Sequence, residues 1–188
     1  MEEYHFSPIS AEDFDEVSKI YRENFEDARW TDAFFKKALN DPDTVGIKLV
    51  DERRIAGMLL ATKGIFLTHM NKAVYSRILD VVKDKSVYTA GMIYVIPKLR
   101  CGGIGIALFY EILRELKAKK VDLMLCEMAS DSNHKYPGES VLRSNVPYIL
   151  IGEYKNYYHD IPVEQAKPCL ACGKNPCVCS AKFYLFEV

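Results

Sequence analysis

The sequence predicts one α/β domain built on a mixed sheet flanked by helices. Three observations carry that. Amphipathic segments at helical spacing alternate with β-rich runs along the chain. Two of those runs, Thr44–Val50 and Ile55–Ala61, are separated only by the polar stretch DERR, which reads as a hairpin turn. Elsewhere helices lie between strands, so the order is not a regular βαβ array and the sheet is mixed. A length of 188 residues suits a single domain with a sizeable core.

Each element has its own signal. Tyr4–Ile9 alternates as a first strand, and Ser10 caps the helix behind it, with Asp13 three residues on. Phe14, Val17, Ile20, Tyr21 and Phe25 share one helical face, which predicts an amphipathic helix over Ala11–Phe25. Trp30–Leu39 reads as a shorter helix stopped at Asp41-Pro42. After the hairpin, residues 63–86 read as a helical insertion with Val74, Ile78 and Val81 on one face. Val87–Ile96 is a strand. Gly103–Lys120 is the clearest helix, with Ile104, Ala107, Leu108, Ile112, Leu113 and Leu116 as its apolar stripe. Val121–Met128 is nearly continuously apolar, as at a sheet centre. A short helix over Glu139–Ser144, a strand over Tyr148–Tyr154, a cysteine-rich segment and a last strand over Lys182–Val188 complete the chain.

Composition narrows the function. Apolar residues make up 49 % and charged residues 27 %, with a net charge of -1. That describes a soluble globular protein and argues against a nucleic-acid binder. No apolar run is long enough for a membrane span, and the N-terminus carries no secretory signal, so the expectation is a cytoplasmic protein. Residues 1–44 hold twelve acidic and five basic side chains. Such a face is either a solvated helix pair or an attractor for a cationic amine.

The stretch VIPKLRCGGIGIALFYEI, Val95–Ile112, places three glycines at a helix start. Bare backbone lets a ligand's oxygens approach the amides, and the helix adds free N–H groups and its positive dipole end. A phosphate or pyrophosphate is the natural guest. A P-loop would need Gly-Lys-Ser/Thr, but Gly105 is followed by Ile106-Ala107. A dinucleotide fingerprint would need a third glycine where Leu108 stands, and a turn directly after the strand.

Val95-x-Pro97-x-x-Arg100-x-x-Gly103-x-Gly105-x-Ala107-Leu108 resembles instead the acyl-CoA signature of the GNAT superfamily of N-acyltransferases. The likeness extends to LCEMA, ending at Ala129, and to ILIGEYKNYYHD, Ile149–Asp160, which is similar to the branch acetylating protein N-termini at alanine. The resemblance implies a GNAT-like, mostly antiparallel mixed sheet and a cosubstrate, acetyl-CoA. It implies that Ile93, Tyr94 and Val95 pair with the pantetheine, and that amides of Cys101, Gly102, Gly103, Ile104, Gly105 and Ile106 hold the pyrophosphate near Arg100. It also implies a bulge that splays this strand from the next.

Acyl transfer to an amine needs a base for the ammonium, polarisation of the thioester carbonyl and a proton for the leaving thiolate. Glu127, the one acid on an apolar strand, is the candidate base. The other reading is a strand-end glutamate facing solvent. The resemblance places Tyr157 and Tyr158 against the substrate backbone; packing at a sheet edge is the alternative. Where many members carry a tyrosine that protonates the thiolate, Arg143 stands here, and Tyr136 is the substitute donor. Asn133 is the nearest match to an upstream CoA-binding asparagine. His134 and His159 read as solvated loop residues.

Cys169-x2-Cys172-Gly173-x3-Cys177-x-Cys179 is a separate signal. Four thiolates at such spacing suit tetrahedral zinc, and in a reducing compartment they favour metal over disulfides. The predicted knuckle spans residues 167–180 between the last two strands, beside the acceptor side, with no catalytic position open on its metal. Cys101 and Cys126 read as isolated packed residues. The function expected is acetyl transfer from acetyl-CoA to a primary amine of a protein or peptide. The alternatives are a small amine or polyamine as acceptor, or a non-catalytic acyl-CoA binder.

Overall fold

The computed structural model describes residues 5–24, 31–51, 54–67, 71–130, 133, 135–159, 169 and 172–188. The chain runs β1 (His5–Pro8), α1 (Phe14–Asn24), α2 (Asp32–Asn40), β2 (Val45–Asp51), β3 (Arg54–Lys63), α3 (Lys72–Val82), β4 (Val87–Val95), α4 (Ile104–Ala118), β5 (Leu123–Ala129), β6 (Tyr148–Tyr154) and β7 (Ala181–Glu187). Short 3-10 turns occupy Ala11–Asp13, Pro97–Leu99 and Pro137–Ser144. The strands form one sheet in the order β1-β2-β3-β4-β5-β7-β6. Only β4 and β5 are parallel; every other neighbouring pair is antiparallel. The predicted mixed sheet is therefore present. No described helix is long and apolar enough to cross a membrane.

Local chemistry sets the helix starts. The Asp13 carboxylate accepts the Ser10 amide at 2.8 Å, closing the predicted capping box. That first turn is 3-10, so α1 proper begins at Phe14. Thr31 caps α2 through the Phe34 amide, and Asn71 caps α3 through the amides of Ala73 and Val74.

The helices cover both faces of the sheet. Val17, Ile20, Tyr21 and Phe35 of α1 and α2 pack on Ile55, Met58, Leu60 and Met92. On the same face, α3 lays Val74, Ile78 and Val82 on Leu123, Leu125, Phe183 and Leu185. Val82, not Val81, completes that stripe, because spacing by four holds one helical face. On the opposite face, α4 packs on Ala56, Leu59, Ala61, Met124 and Cys126. Phe109, outside the predicted stripe, is buried against Phe186 with ring centroids 4.8 Å apart. The 3-10 segment Pro137–Ser144 lies along the flank of α4, where the Tyr110 hydroxyl donates to the Ser144 carbonyl, so the buried face is wider than a single stripe.

One irregularity positions the site. Across β3 and β4, Leu60 faces Met92 but Ala61 faces Ala90, so Gly91 is the extra residue of a bulge. β4 pairs with β5 only from Val87–Leu123 to Ala90–Cys126. Past that point β4 follows β3 while β5 follows β7. A gap opens between residues 91–95 and 127–129.

Candidate active site

The glycine turn sits at the end of β4, over that gap. Gly103 caps α4 in the left-handed region, at φ 84°, and Cys101 is left-handed too, at φ 65°. The first intrahelical bond runs from the Ala107 amide to the Gly103 carbonyl at 3.0 Å. The amides of Ile104, Gly105 and Ile106 precede it and have no acceptor within the helix. Arg100 ties the turn to the strand, its Nε donating to the Val95 carbonyl at 2.9 Å. A side chain at Gly57 would meet Leu108 at 3.1 Å and Ile104 at 3.4 Å, so this glycine lets the start of α4 lie close on β3. Arg100 through Gly103 of the predicted cradle are exposed, Gly105 and Ile106 are half-buried, and the Ile104 side chain packs into the core. Cys101 is exposed rather than packed.

Past the bulge, β4 has a strand partner on one side only. Ile93, Tyr94 and Val95 pair with Leu59, Met58 and Gly57 along one edge. Their other edge faces the gap. Ile93 is 37 % exposed, unusual for isoleucine in an inner strand, and its Cδ1 lies 3.8 Å from where a Cβ on Gly105 would stand. Strand and turn thus form one continuous wall.

Glu127 stands on the opposite wall, on β5 one residue past the last β4–β5 pair. It is half-buried, and the Tyr158 hydroxyl donates to its Oε1 at 2.8 Å. Alternation along β5 places Glu127 on the face of Leu123 and Leu125, which α3 covers. Tyr157 is 6 % exposed, with its ring 5.2 Å from that of Phe183 and 5.1 Å from that of Tyr158. Of the two tyrosines, then, Tyr157 packs into the core and Tyr158 reaches the site. A tandem Tyr-Tyr does not say which ring turns inward; only the seat offered by Phe183 does.

Tyr136 lies elsewhere. Its hydroxyl donates to Glu153 at 2.9 Å, and the Lys182 ammonium sits 4.2 Å over its ring. Lys182 pairs with Met128, whose side chain points away from that of Glu127, so Tyr136 and Glu127 occupy opposite faces of the sheet. Burial first, and then the Glu153 carboxylate, push the Tyr136 phenol up to about 12. Asn133 and Arg143 are both exposed, Asn133 after β5 and Arg143 in the 3-10 segment. His159 is exposed, and His134 lies outside the described residues. Cys126 is a packed, inert thiol, pushed up to about 12 by burial.

The four clustered sulfurs converge. Cys169, Cys172, Cys177 and Cys179 offer Sγ atoms all within 4.8 Å of one another. Cys172 and Cys177 are 3.8 Å apart, and Cys169 and Cys179 are 4.0 Å apart. Those distances are too long for disulfides. Four thiolates about 2.3 Å from a tetrahedral metal would stand about 3.8 Å from each other, so the set fits such an ion. Gly173 makes the knuckle turn at φ 68°, its amide bonding the Cys169 carbonyl. The Cys179 amide donates to the Cys177 sulfur at 3.4 Å, which curls the one-residue spacing onto one centre. Burial resists ionisation of Cys172, Cys177 and Cys179. It pushes Cys177 up to about 11 and raises Cys179, whereas backbone amides of Val178 and Lys174 bring Cys172 down to about 7. A cation is what would let all four ionise together.

No protein-family profile matches the chain, and no curated protein matches it in sequence. Solved structures match it over its whole length. NAA60 of Arabidopsis thaliana in complex with acetyl-CoA superposes with a TM-score of 0.70 at 16 % identity, over 99 % of each chain. The NatC complex bound to Gag peptide and CoA gives 0.66 at 12 % identity, again over 99 % of each chain. The ribosomal-protein-S18-alanine N-acetyltransferase of Escherichia coli gives 0.62 at 16 % identity, over 98 % of this chain and 94 % of that one. The fold is the GNAT acetyltransferase fold, with a cysteine cluster in the connection between β6 and β7.

Proposed function

We propose that this protein is an N-acetyltransferase moving an acetyl group from acetyl-CoA to a primary amine of a protein or peptide, by direct attack in a ternary complex. The observation that carries this is the parting of β4 from β5 directly beneath the glycine turn, with Glu127 at the point of parting. The turn amides take the pyrophosphate. The gap-facing edge of Ile93–Val95 takes the pantetheine, which lays the thioester in the gap. The peptide acceptor is supported by likeness to the NatC complex bound to Gag peptide and to the ribosomal-protein-S18-alanine acetyltransferase.

Chemistry follows from the two walls. Glu127 takes a proton from the incoming ammonium, directly or through a water, and Tyr158 fixes the carboxylate's orientation. The neutral nitrogen attacks the thioester carbon; the C–S bond breaks as the C–N bond forms. Holding the two reactants in one cleft supplies much of the rate. The thiolate leaves and is protonated to free CoA. Tyr136 lies across the sheet from Glu127 and donates to Glu153, so it is a packing and hydrogen-bonding residue, and solvent or the amide-forming nitrogen supplies that proton. The four cysteines hold zinc as a structural ion; four thiolates leave no position for substrate. A reducing cytoplasm suits four thiols kept for metal.

The test is thiol release from acetyl-CoA against panels of peptide N-termini, lysine peptides and small amines. Turnover confined to peptides is the expected result. Turnover only on small amines would replace the acceptor assignment. CoA binding with no turnover on any amine, and no effect of Glu127→Gln, would make the protein an acyl-CoA binder.

A further inference from the structure

The thiolate cluster and the reaction gap meet on the same two strands. β5 ends at Ala129, paired with Ala181 at the start of β7. One residue on, Ser130 and Ser180 hold each other reciprocally. The Ser130 amide donates to the Ser180 carbonyl at 2.9 Å, and the Ser180 amide donates to the Ser130 hydroxyl at 2.9 Å. These serines are 2 % and 7 % exposed. Ser180 directly follows Cys179, which is 3 % exposed. In the other direction the register runs from Ala129–Ala181 to Glu127–Phe183. Phe183 is the seat of Tyr157, and its neighbour Tyr158 holds Glu127. Glu127 thus stands about 10 Å along the strand from Ser130. The cofactor turn, by contrast, belongs to β4 and α4: β4 pairs with β5 only over the four pairs that end at Ala90–Cys126, and α4 packs on Met124 and Cys126, on the face of β5 opposite Glu127.

We infer that the four-cysteine metal centre is a positioning device for the acceptor side of the gap: it fixes the start of β7 against β5 through Ser130 and Ser180, and so sets the Tyr158–Glu127 pair while leaving the cofactor turn independent. The inference rests on the acetyltransferase reading for its kinetic consequence only. The four Sγ atoms lie within 4.8 Å of one another but share no bond, and an ion bonded to all four would hold this connection closed. Cys169 and Cys172, in the second half of the connection between β6 and β7, are then tied to Cys177 and Cys179 at the foot of β7. Ser130 and Ser180 transmit that constraint as positioning residues and need touch no substrate.

The experiment compares three forms of the full chain: zinc-loaded, chelator-stripped and zinc-restored. Cobalt(II) substitution first reports the site, through intense tetrahedral bands and thiolate-to-metal charge transfer at one ion per chain. Hydrogen exchange then reads the coupling without any acceptor. Stripping should speed exchange about tenfold or more at residues 181–183 and 155–159, and leave residues 101–107 within twofold. Titration should show CoA affinity unchanged within twofold. With an acceptor in hand, stripping should cost tenfold or more in kcat/KM for the amine, at an unchanged KM for acetyl-CoA, and zinc should restore it. Ser130→Ala should give a partial loss of the same kind with its metal still bound, and Ser130→Thr should recover it. Unchanged exchange on stripping would overturn the proposal, as would equal loosening of residues 101–107, or a Ser130→Ala variant with full amine turnover. Failure of the loaded protein to acetylate any amine would instead overturn the acetyltransferase reading, leaving the exchange result to stand.

Discussion

The Tyr158 hydroxyl donates to Oε1 of Glu127 at 2.8 Å, joining the turn after β6 to the one acid on β5, beside the gap. A carboxylate that must take a proton from a particular nitrogen gains from being held in one orientation. Glu127→Gln keeps size and shape but removes the proposed base. It should lower kcat by about a hundredfold or more, with CoA affinity unchanged. Tyr158→Phe removes the orienting bond and should cost about tenfold in kcat. Steady-state kinetics beside a CoA titration check both. Full turnover of Glu127→Gln across the pH range would exclude Glu127 as the base.

Gly103 and Gly105 share a motif but not a reason. At Gly103 a Cβ would meet nothing within 4 Å, yet φ is 84°. Gly103→Ala should therefore destabilise the protein by about 1 kcal/mol through backbone strain. Gly105 lies in the helix, and its Cβ would meet only Ile93 Cδ1 at 3.8 Å, an ordinary contact. Gly105→Glu should fold normally and lose a hundredfold or more in CoA affinity, because a carboxylate would stand among amides meant for a pyrophosphate. Denaturant titration and calorimetric binding separate the two effects. A Gly105→Glu protein that binds CoA at full affinity would remove the cradle assignment.

Much of this was legible from residues alone. The turn, its strand and helix, and the four cysteines are contiguous in sequence, so their signals are local. Periodicity found the helices and most strands to within a few residues, because α3 and α4 each bury one apolar face. What stayed hidden depends on distant partners. Tyr157 and Tyr158 differ only in which one meets Phe183, a residue 25 positions or more away on β7. Ser130 and Ser180 carry no signal in isolation and are legible only as a buried pair. Phe109 falls outside the predicted stripe because its partner, Phe186, stands on distant β7.

The Tyr136 phenol sits across the sheet from Glu127 and is pushed up to about 12, first by burial and then by Glu153. It stays protonated through the working pH range, so it should add no limb to the pH–rate profile below about pH 11. Tyr136→Phe should leave kcat within about threefold and cost about 1 kcal/mol of stability through the lost bond to Glu153. A hundredfold fall in kcat with CoA affinity intact would show instead that this phenol protonates the leaving thiolate.

Asp13 links the start of α1 to the sheet. Its Oδ1 accepts the Lys48 ammonium of β2 at 2.5 Å, while its Oδ2 accepts the Ser10 amide at 2.8 Å. Burial alone would raise this carboxyl, but the Lys48 ammonium and the Ser10 amide and hydroxyl outweigh it and hold it below its ordinary value of 3.8. A carboxyl depressed on folding adds stability that is fully present above the unfolded value and lost as pH falls through the folded one. At pH 7, Asp13→Asn should therefore be less stable than the parent by about 1–2 kcal/mol. The gap should narrow as the pH drops below 3.8, because the parent then protonates the same group. Urea midpoints at pH 7, 5 and 3 measure it. A gap that stayed constant across that range would assign the loss to packing rather than to the Asp13–Lys48 pair.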